Sequence, residues 1–300
     1  MNNHAFLIKA FHDARWLVFA FILLFLSGCF KHPGRETARS GKMVFAVDNP
    51  LSEIAGIEAM MFRNYYPDAE IEILPTAPVK TLGRIFDKSA RAALISGDFD
   101  SVEDSLFSAM KRKMRMEPVA LDAIVCVTGK GNGVDGLSVK DIVAMYYNGG
   151  GKGKQNYLLK DDYRLVSVLS VMAGRKKKDI RAWSCSDVDE LLKRIASADQ
   201  AYGLLFRSSL DAARDAGIEM KNIKILPVSD NGPDTSAYLP ERDAIFENRY
   251  PLVTTVYYVY YPGDALAAGF GSWISGSGQK AFERSSFVPY RLTQRTIILK

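Results

Sequence analysis

Three features of the sequence predict an α/β protein with two lobes. From Met43 onward, short apolar runs alternate with helical patterns, an order typical of α/β sheets. Two long β-rich runs, at about 118–128 and 250–261, lie on either side of a middle segment. A chain of 300 residues, 48% hydrophobic, is long enough for two modest domains with their own cores. We therefore predict two lobes, each a mixed, mostly parallel sheet flanked by helices, connected by two hinge strands. Lobe 1 is predicted to span residues 43–125 and 255–300, and lobe 2 residues 126–254.

The first part of this order alternates strands and helices and ends in a long strand. "MVFAVD" is the first strand, and Pro50 and Ser52 then begin a helix whose apolar positions lie three or four residues apart. "AEIEILP" alternates isoleucine with glutamate, as a half-buried strand does, and "RAALIS" is a further strand. Ser101 is the predicted N-cap of the helix "SVEDSLFSAMKRK". "PVALDAIVCVT" is almost wholly apolar, which is typical of a strand buried on both faces.

The middle segment carries the most unusual stretch of the chain. "YRLVSVLSV" predicts a strand that leads into "MAGRKKKDIRAW", where five positive charges occupy the seven positions 175–181. Such a run is consistent with a solvated face, with a grip on nucleic acid or membrane, or with a site for a small anion. Helices and strands alternate after it, and "YPLVTTVYYVYYP" is the second long β-rich run. Two helices and a closing strand, "RTIILK", complete the predicted order.

The N-terminus is predicted to be an export signal. Residues 1–28 combine a basic-leaning start with an apolar run of 13 residues, which is shorter than the roughly 20 that a membrane-spanning helix needs. The run closes on "LSGC", which resembles the lipobox of bacterial lipoproteins and implies that Cys29 is the lipidated first residue of the mature protein. Residues 29–42 are then a tether. Phe30, directly after the cysteine, favours the outer membrane in a two-membrane cell. The alternative to a lipoprotein signal is a plain signal peptide or an N-terminal anchor helix.

Composition excludes several classes of function. All 3 histidines, His4, His12 and His32, precede the predicted folded domain, so a histidine-assisted nucleophile or a usual zinc site has no histidine to use. We therefore expect no enzyme activity, metal site or cofactor. A net charge of +5 is mild for this length and argues against a nucleic-acid binder. Cys126 and Cys185 are the remaining cysteines, and the sequence leaves their redox state open.

Four stretches in order resemble the phosphate-binding-protein family of periplasmic receptors that serve ABC uptake systems. They are "VFAVDNPLSEI", "ALISGDFDSVED", the first long strand with the helix "SVKDIVAMYYNG", and the second long strand with "GQKAFERSSFVPYRLTQRTIILK". The resemblance covers most of residues 43–300 and implies a periplasmic-binding-protein fold of the Venus-flytrap kind, in which two lobes close on a ligand. It also implies that helix N-termini meet the anion with backbone N–H groups.

The same resemblance implies the site residues. In lobe 1 they are Leu51 and Ser52 at a helix start, and Ser96, Gly97 and Asp98 in the second loop. A plain N-cap is the alternative for Ser52, and a solvent-facing turn residue is the alternative for Asp98. Asp122 is expected to order the hinge rather than touch ligand.

The second-lobe signature of the family, an Arg followed three residues later by Ser-Gly-Thr, is altered in this chain. Leu169 stands in place of the Arg, and Ala173, Gly174 and Arg175 stand in place of Ser-Gly-Thr. Gly174 and Arg175 remain candidates for anion contact, but two hydroxyl donors and the guanidinium that would grip phosphate are missing. This departure puts selective phosphate capture in doubt.

Two functions follow from these observations. The first is a lipid-anchored receptor that binds a small oxyanion, phosphate by preference, between its lobes for uptake through an ABC permease, without catalysis. The alternative is a non-transport lipoprotein that keeps the fold with a degenerate anion site and acts in sensing or in binding a protein or surface polymer. Both place an exported monomer at a membrane through its lipid anchor only, facing the periplasm or the cell exterior, with no nucleic-acid partner.

Overall fold

The computed structural model describes residues 36–109, 113–149, 151, 153–160, 162–230 and 236–291. The predicted signal peptide, Cys29 and the first part of the predicted tether lie outside the described residues, as does the predicted closing strand "RTIILK". Among the residues described, no helix combines the length and apolar character needed to cross a bilayer.

The described residues form a mixed α/β structure. The strands are β1 Gly41–Asp48, β2 Ala69–Thr76, β3 Ala92–Ser96, β4 Arg115–Gly129, β5 Leu137–Ser138, β6 Gln155–Leu159, β7 Trp183–Cys185, β8 Ala201–Phe206, β9 Ile223–Leu226, β10 Val228–Ser229, β11 Val253–Tyr260 and β12 Val288–Pro289. The helices are α1 Ser52–Tyr65, α2 Pro78–Thr81, α3 Gly83–Phe86, α4 Ser101–Ala109, α5 Val139–Asn148, α6 Tyr163–Ala173, α7 Val188–Ala196, α8 Arg207–Asp215, α9 Arg242–Phe246, α10 Ala265–Ile274 and α11 Gln279–Glu283. Short 3-10 turns span Asn49–Leu51 and Lys177–Asp179.

One mixed sheet runs through this part of the chain in the order β2-β1-β3-β11-β4-β8-β6-β7, and β9 and β12 also pair with β4. At one end β1 is parallel to β2 and β3, and at the other β6 is parallel to β7 and β8. The long strands β11 and β4 are antiparallel to each other between these two parallel groups. The predicted mixed α/β fold is therefore confirmed, and the structure shows that its two long strands lie side by side in one continuous sheet.

The hydrophobic core divides within β4. Val119 and Ala120 pack with residues of β1, α1 and α10, whereas Ala123 and Ile124 pack with residues of α5, α6 and β8. We call the β1–β3 side lobe 1 and the β6–β8 side lobe 2. Because β4 is continuous through this change of core, it connects the two lobes and carries Asp122 at their boundary.

One predicted strand is wrong. The stretch "YRLVSVLSV" lies in helix α6. The Asp162 side chain accepts a hydrogen bond from Leu165 N and caps the helix start, and Gly174, at a φ of 59°, ends it. Leu165 and Leu169 are buried one turn apart, so the apolar residues have the helical spacing even though valine and serine make the composition β-like.

The predicted tether also ends too late. Glu36 forms an ion pair with Arg91 at 2.7 Å, and Thr37 and Ser40 form a β-bridge just before β1 begins at Gly41. The folded domain therefore includes residues that were assigned to the tether. Cys126 and Cys185 are both buried and both free, each in a different core cluster.

Candidate functional site

The candidate site lies where strands of lobe 1 meet the first turn of α6 from lobe 2. β1 ends at Asp48, whose side chain is only 1% exposed. One of its oxygens, Oδ2, accepts a hydrogen bond from Ser96 N at 3.1 Å, at the end of β3. The 3-10 turn and α1 that follow Asp48 have no side-chain cap. Asp48 Oδ2 is therefore bound by Ser96 and not by the helix start.

Arg164, in the first turn of α6, brings a positive charge from lobe 2 into this position. Its guanidinium is 2% exposed. Nε donates to Asp48 Oδ2 at 3.2 Å, and Nη1 donates to both Glu103 oxygens at 2.9 Å. Nη2 donates to the carbonyl oxygen of Pro78 at 3.3 Å. Two carboxylates and a carbonyl of lobe 1 thus hold one guanidinium of lobe 2 away from water.

Asp100 and Glu103 are positioned by the start of α4. Asp100 Oδ1 accepts hydrogen bonds from the N–H groups of Val102 and Glu103, while Asp100 N donates to Glu103 Oε2 at 3.0 Å. This reciprocal pair is a capping box, in which an acid three residues into the helix returns a bond to the cap. Asp100 is therefore the capping residue, and the predicted assignment of that role to Ser101 is wrong by one position. The box fixes Glu103 in the orientation that meets Arg164.

A second contact joins the lobes through Asp100. Its Oδ2 accepts hydrogen bonds from Tyr163 Oη and from Lys177 Nζ, the latter at 2.5 Å. The Lys177 ammonium also lies 3.7 Å from the centre of the Tyr163 ring. Burial opposes the charged form of Asp100, but the hydrogen bonds from Lys177 and Tyr163 prevail and lower its pKa to about 2. We call Asp48, Asp100, Glu103, Tyr163, Arg164 and Lys177 the interlobe cluster.

Other carboxylates lie near the interlobe cluster. Burial raises the pKa of Asp162 to about 7, and the nearby charges of Asp48 and Asp122 add to the effect. Burial also raises the pKa of Asp122 to about 6, although Ser208 donates to it through both its N–H and its hydroxyl. Burial likewise raises the pKa of Asp48. The boundary between the lobes is thus rich in buried acid, and Arg164 is the cation embedded in it.

The structure brings together some of the predicted site residues of lobe 1. Ser96 contacts Asp48 through its N–H, and the Ser52 hydroxyl is buried without a partner among the described residues. Leu51 is fully buried in the lobe 1 core, so only its backbone is available to a ligand. Gly97, at a φ of 79°, gives its N–H to Thr255 O at 2.7 Å. Asp98 is exposed and interacts with Tyr257, whose pKa is raised to about 12 by burial and by this acid.

The structure does not bring Gly174 and Arg175 to the same place. They follow the last turn of α6, ten residues beyond Arg164, which is about 15 Å along the helix axis. Arg175 Nη1 donates to Asn148 Oδ1 at 3.1 Å, on the surface of lobe 2. Ala173 is partly buried, and Leu169 is fully buried against the lobe 2 core. Of the basic run at 175–181, only Lys177 contributes to the interlobe cluster.

Comparison with known proteins identifies the fold. A model of the PBP superfamily domain matches residues 34–277. The chain belongs to the PBP superfamily. No curated protein sequence matches it.

Several solved structures of phosphate-binding proteins are similar in fold to this chain. An ABC-type phosphate transport receptor from Vibrio cholerae has a TM-score of 0.64 and 14% identity, over 82% of this chain and 99% of that chain. PstS from Borrelia burgdorferi has a TM-score of 0.57 and 14% identity, over 83% and 99% of the two chains. A protein from Clostridium perfringens with bound phosphate has a TM-score of 0.62 and 15% identity, over 84% and 100%. At this level of identity the likeness is one of fold.

Within the PBP fold, the cluster lies at the carboxyl ends of β1 and β3, where open α/β sheets bind their ligands. Arg164 was not singled out from the sequence because α6 was predicted as a strand and, from the family resemblance, the second-lobe site was expected at Gly174 and Arg175, beyond the other end of this helix. The sequence did contain a helix-start signal. In "DDYR", Asp162 stands just before Leu165 and Leu169, whose spacing of four residues is helical. Among the residues described, no group of three or more His, Cys, Asp or Glu side chains is placed to hold a metal ion.

Proposed function

We propose that this protein is a lipid-anchored, exported binding protein without catalytic activity, in which internal carboxylates occupy the place of a captured oxyanion. The observation that carries the proposal is the buried contact in which Arg164 Nη1 donates to both oxygens of Glu103, with Asp48 on the same guanidinium. A guanidinium donates charge-assisted hydrogen bonds to carboxylate and to phosphate alike. In this chain the carboxylate is already supplied by the protein.

Phosphate capture at this position is opposed by charge. An entering phosphate would have to displace Glu103 from Arg164 and would then lie beside the buried carboxylate of Asp48. The displaced Glu103 carboxylate would lose its cation, and leaving one member of a buried ion pair without its partner costs about 3–5 kcal/mol. The resulting function is the non-transport one: sensing, or binding of a protein or surface polymer, by a domain held at the membrane through Cys29.

Calorimetry with inorganic phosphate tests this proposal. At low salt we expect neither heat of binding nor a rise in the melting temperature at millimolar phosphate. A receptor with phosphate at a hundred times its Kd would instead gain about 2.7 kcal/mol of apparent stability. Micromolar phosphate binding that is lost in Arg164→Met would overturn the proposal.

A second candidate is a phosphate receptor for an ABC permease. It is favoured by the similarity to solved phosphate receptors and by Arg164, whose guanidinium already donates to carboxylate oxygens. Here Glu103 would act as a tethered competitor that phosphate displaces, with Ser52, Ser96 and Asp98 as further contacts. Glu103→Gln should then increase phosphate affinity at least tenfold. Asp104→Asn is the matched control, because Asp104 is an exposed acid on the same helix. Equal affinity in the two variants would exclude the tethered competitor.

A further inference from the structure

We propose that a groove between α1 and α8 binds a small organic anion that carries an apolar body. The groove has a volume of about 730 Å³, and the segment 280–287 forms part of its lining. This volume is within the range of about 300–1,000 Å³ that is usual for small-molecule sites. The inference goes beyond the proposed function because the groove shares no residue with the interlobe cluster.

Positive charge exceeds negative charge along the groove. Its cationic residues are Arg207, Arg214, Arg242, Lys280 and Arg284, and its acids are Glu53, Asp211 and Asp215. Asp211 serves two of the cations, Arg207 at 3.4 Å and Arg214 at 2.9 Å. Asp211 forms no ion pair with Arg242, Lys280 or Arg284.

Two of the guanidiniums are held in place by one short segment of backbone. Arg242 Nη1 donates to Ser285 O at 2.7 Å, and its Nη2 donates to Glu283 O at 3.2 Å. Arg207 Nη1 donates to the next carbonyl, Ser286 O, at 2.7 Å. Burial and the neighbouring charge of Arg207 lower the pKa of Arg242, against the smaller opposing effect of the carboxylates of Asp211, Glu283 and Asp243. A bound anion would relieve this repulsion and would find preorganised donors.

Apolar side chains of α1 also line the groove, next to the exposed acid Glu53. α1 contributes Ile54, Ile57 and Met61, and Ile57 is 36% exposed although it is a large aliphatic residue. The 280–287 segment adds two apolar residues to the lining, Ala281 and Phe287. An inorganic ion would contact the cations but leave these apolar side chains exposed to water. The combination therefore fits a phosphate, sulfonate or carboxylate group joined to an aromatic or short aliphatic body.

Phenyl phosphate is a suitable probe, measured by titration calorimetry on the full chain. We expect it to bind at least tenfold more tightly than inorganic phosphate, which lacks the ring, and than benzyl alcohol, which lacks the charge. Failure of phenyl phosphate to bind, or equal binding of inorganic phosphate, would overturn the inference.

Variants locate the binding. Ala212→Glu is the principal one, because Ala212 is an exposed residue of the groove, and a glutamate there adds negative charge on a helix that accommodates it. It should abolish binding, whereas Lys280→Gln and Arg284→Gln should each weaken binding at least threefold. Arg63→Gln, a charge loss on α1 outside the groove, should have no effect.

Two outcomes separate this site from the interlobe cluster. Wild-type affinity for phenyl phosphate in Ala212→Glu, with an unchanged melting temperature, would show that the groove is not the site. Binding that is lost in Arg164→Met but kept in Ala212→Glu would assign the ligand to the interlobe cluster and would contradict the groove proposal.

Discussion

Replacing Arg164 with methionine is the most direct perturbation of the interlobe cluster. The substitution keeps an apolar stem of similar length but removes four hydrogen bonds, three to carboxylate oxygens and one to a carbonyl. It leaves the buried side chains of Asp48 and Glu103 without their common cation. Breaking a buried ion pair from one side costs about 3–5 kcal/mol, so we expect the free energy of unfolding to fall by about that amount.

The assay is urea denaturation followed by tryptophan fluorescence, with two comparison proteins. Arg194→Met is the matched control, because Arg194 also donates two hydrogen bonds to one glutamate but does so on the surface. Exposed pairs contribute about 0.2–1 kcal/mol, so this control should lose little. The triple variant Arg164→Met, Asp48→Asn, Glu103→Gln removes the stranded charges and should recover most of the loss.

The reasoning is refuted if Arg164→Met loses less than about 1 kcal/mol, which would place the pair in the range of surface contacts. It is equally refuted if the triple variant is no more stable than the single one. In that case the loss would come from packing rather than from uncompensated buried charge.

Three further predictions concern other parts of the molecule. Burial raises the pKa of Glu58 to about 8 from 4.5, so in this pH interval the folded state retains a proton that the unfolded state releases. The free energy of unfolding therefore falls as the pH rises through the interval, by up to about 5 kcal/mol in total. Glu58→Gln should remove that fall in urea titrations at pH 4.5 and 8, with the exposed Glu53→Gln as control, and parallel curves for wild type and Glu58→Gln would contradict it. The lowered pKa of Asp100, about 2, means that its charged form stabilises the folded state above about pH 4. The stability lost in Asp100→Asn should therefore shrink as the pH falls toward 2, as measured by acid unfolding followed by circular dichroism. A loss that does not depend on pH would contradict this prediction. Cys29→Ala should move the protein from the membrane fraction to the soluble fraction and abolish palmitate labelling, whereas Cys126→Ala should change neither; retained labelling would refute the assignment of Cys29.

The class of fold and much of the order of elements were predictable because they depend on local patterns. Alternating isoleucines in β2 and the continuous apolar run of β4 are read directly from neighbouring residues. Asp122 was expected at a hinge because a lone acid in an apolar strand requires partners, and the structure supplies them from Ala123 and Ser208. The strand predicted at α6 failed because valine and serine favour strands locally, whereas burial of Leu165 and Leu169 on one face favours the helix.

The sequence by itself determined a mixed α/β protein with two long strands, and it carried the likeness to phosphate-binding receptors. Only the tertiary structure decided what lies between the lobes. Asp48, Glu103 and Arg164 are separated by up to 116 positions, and no local pattern signals that one guanidinium will be buried between two acids. The physical reason is that a charge is buried only where the fold brings its partners within hydrogen-bonding distance. In this protein that requirement is met by joining the first turn of α6 to the ends of β1 and α4.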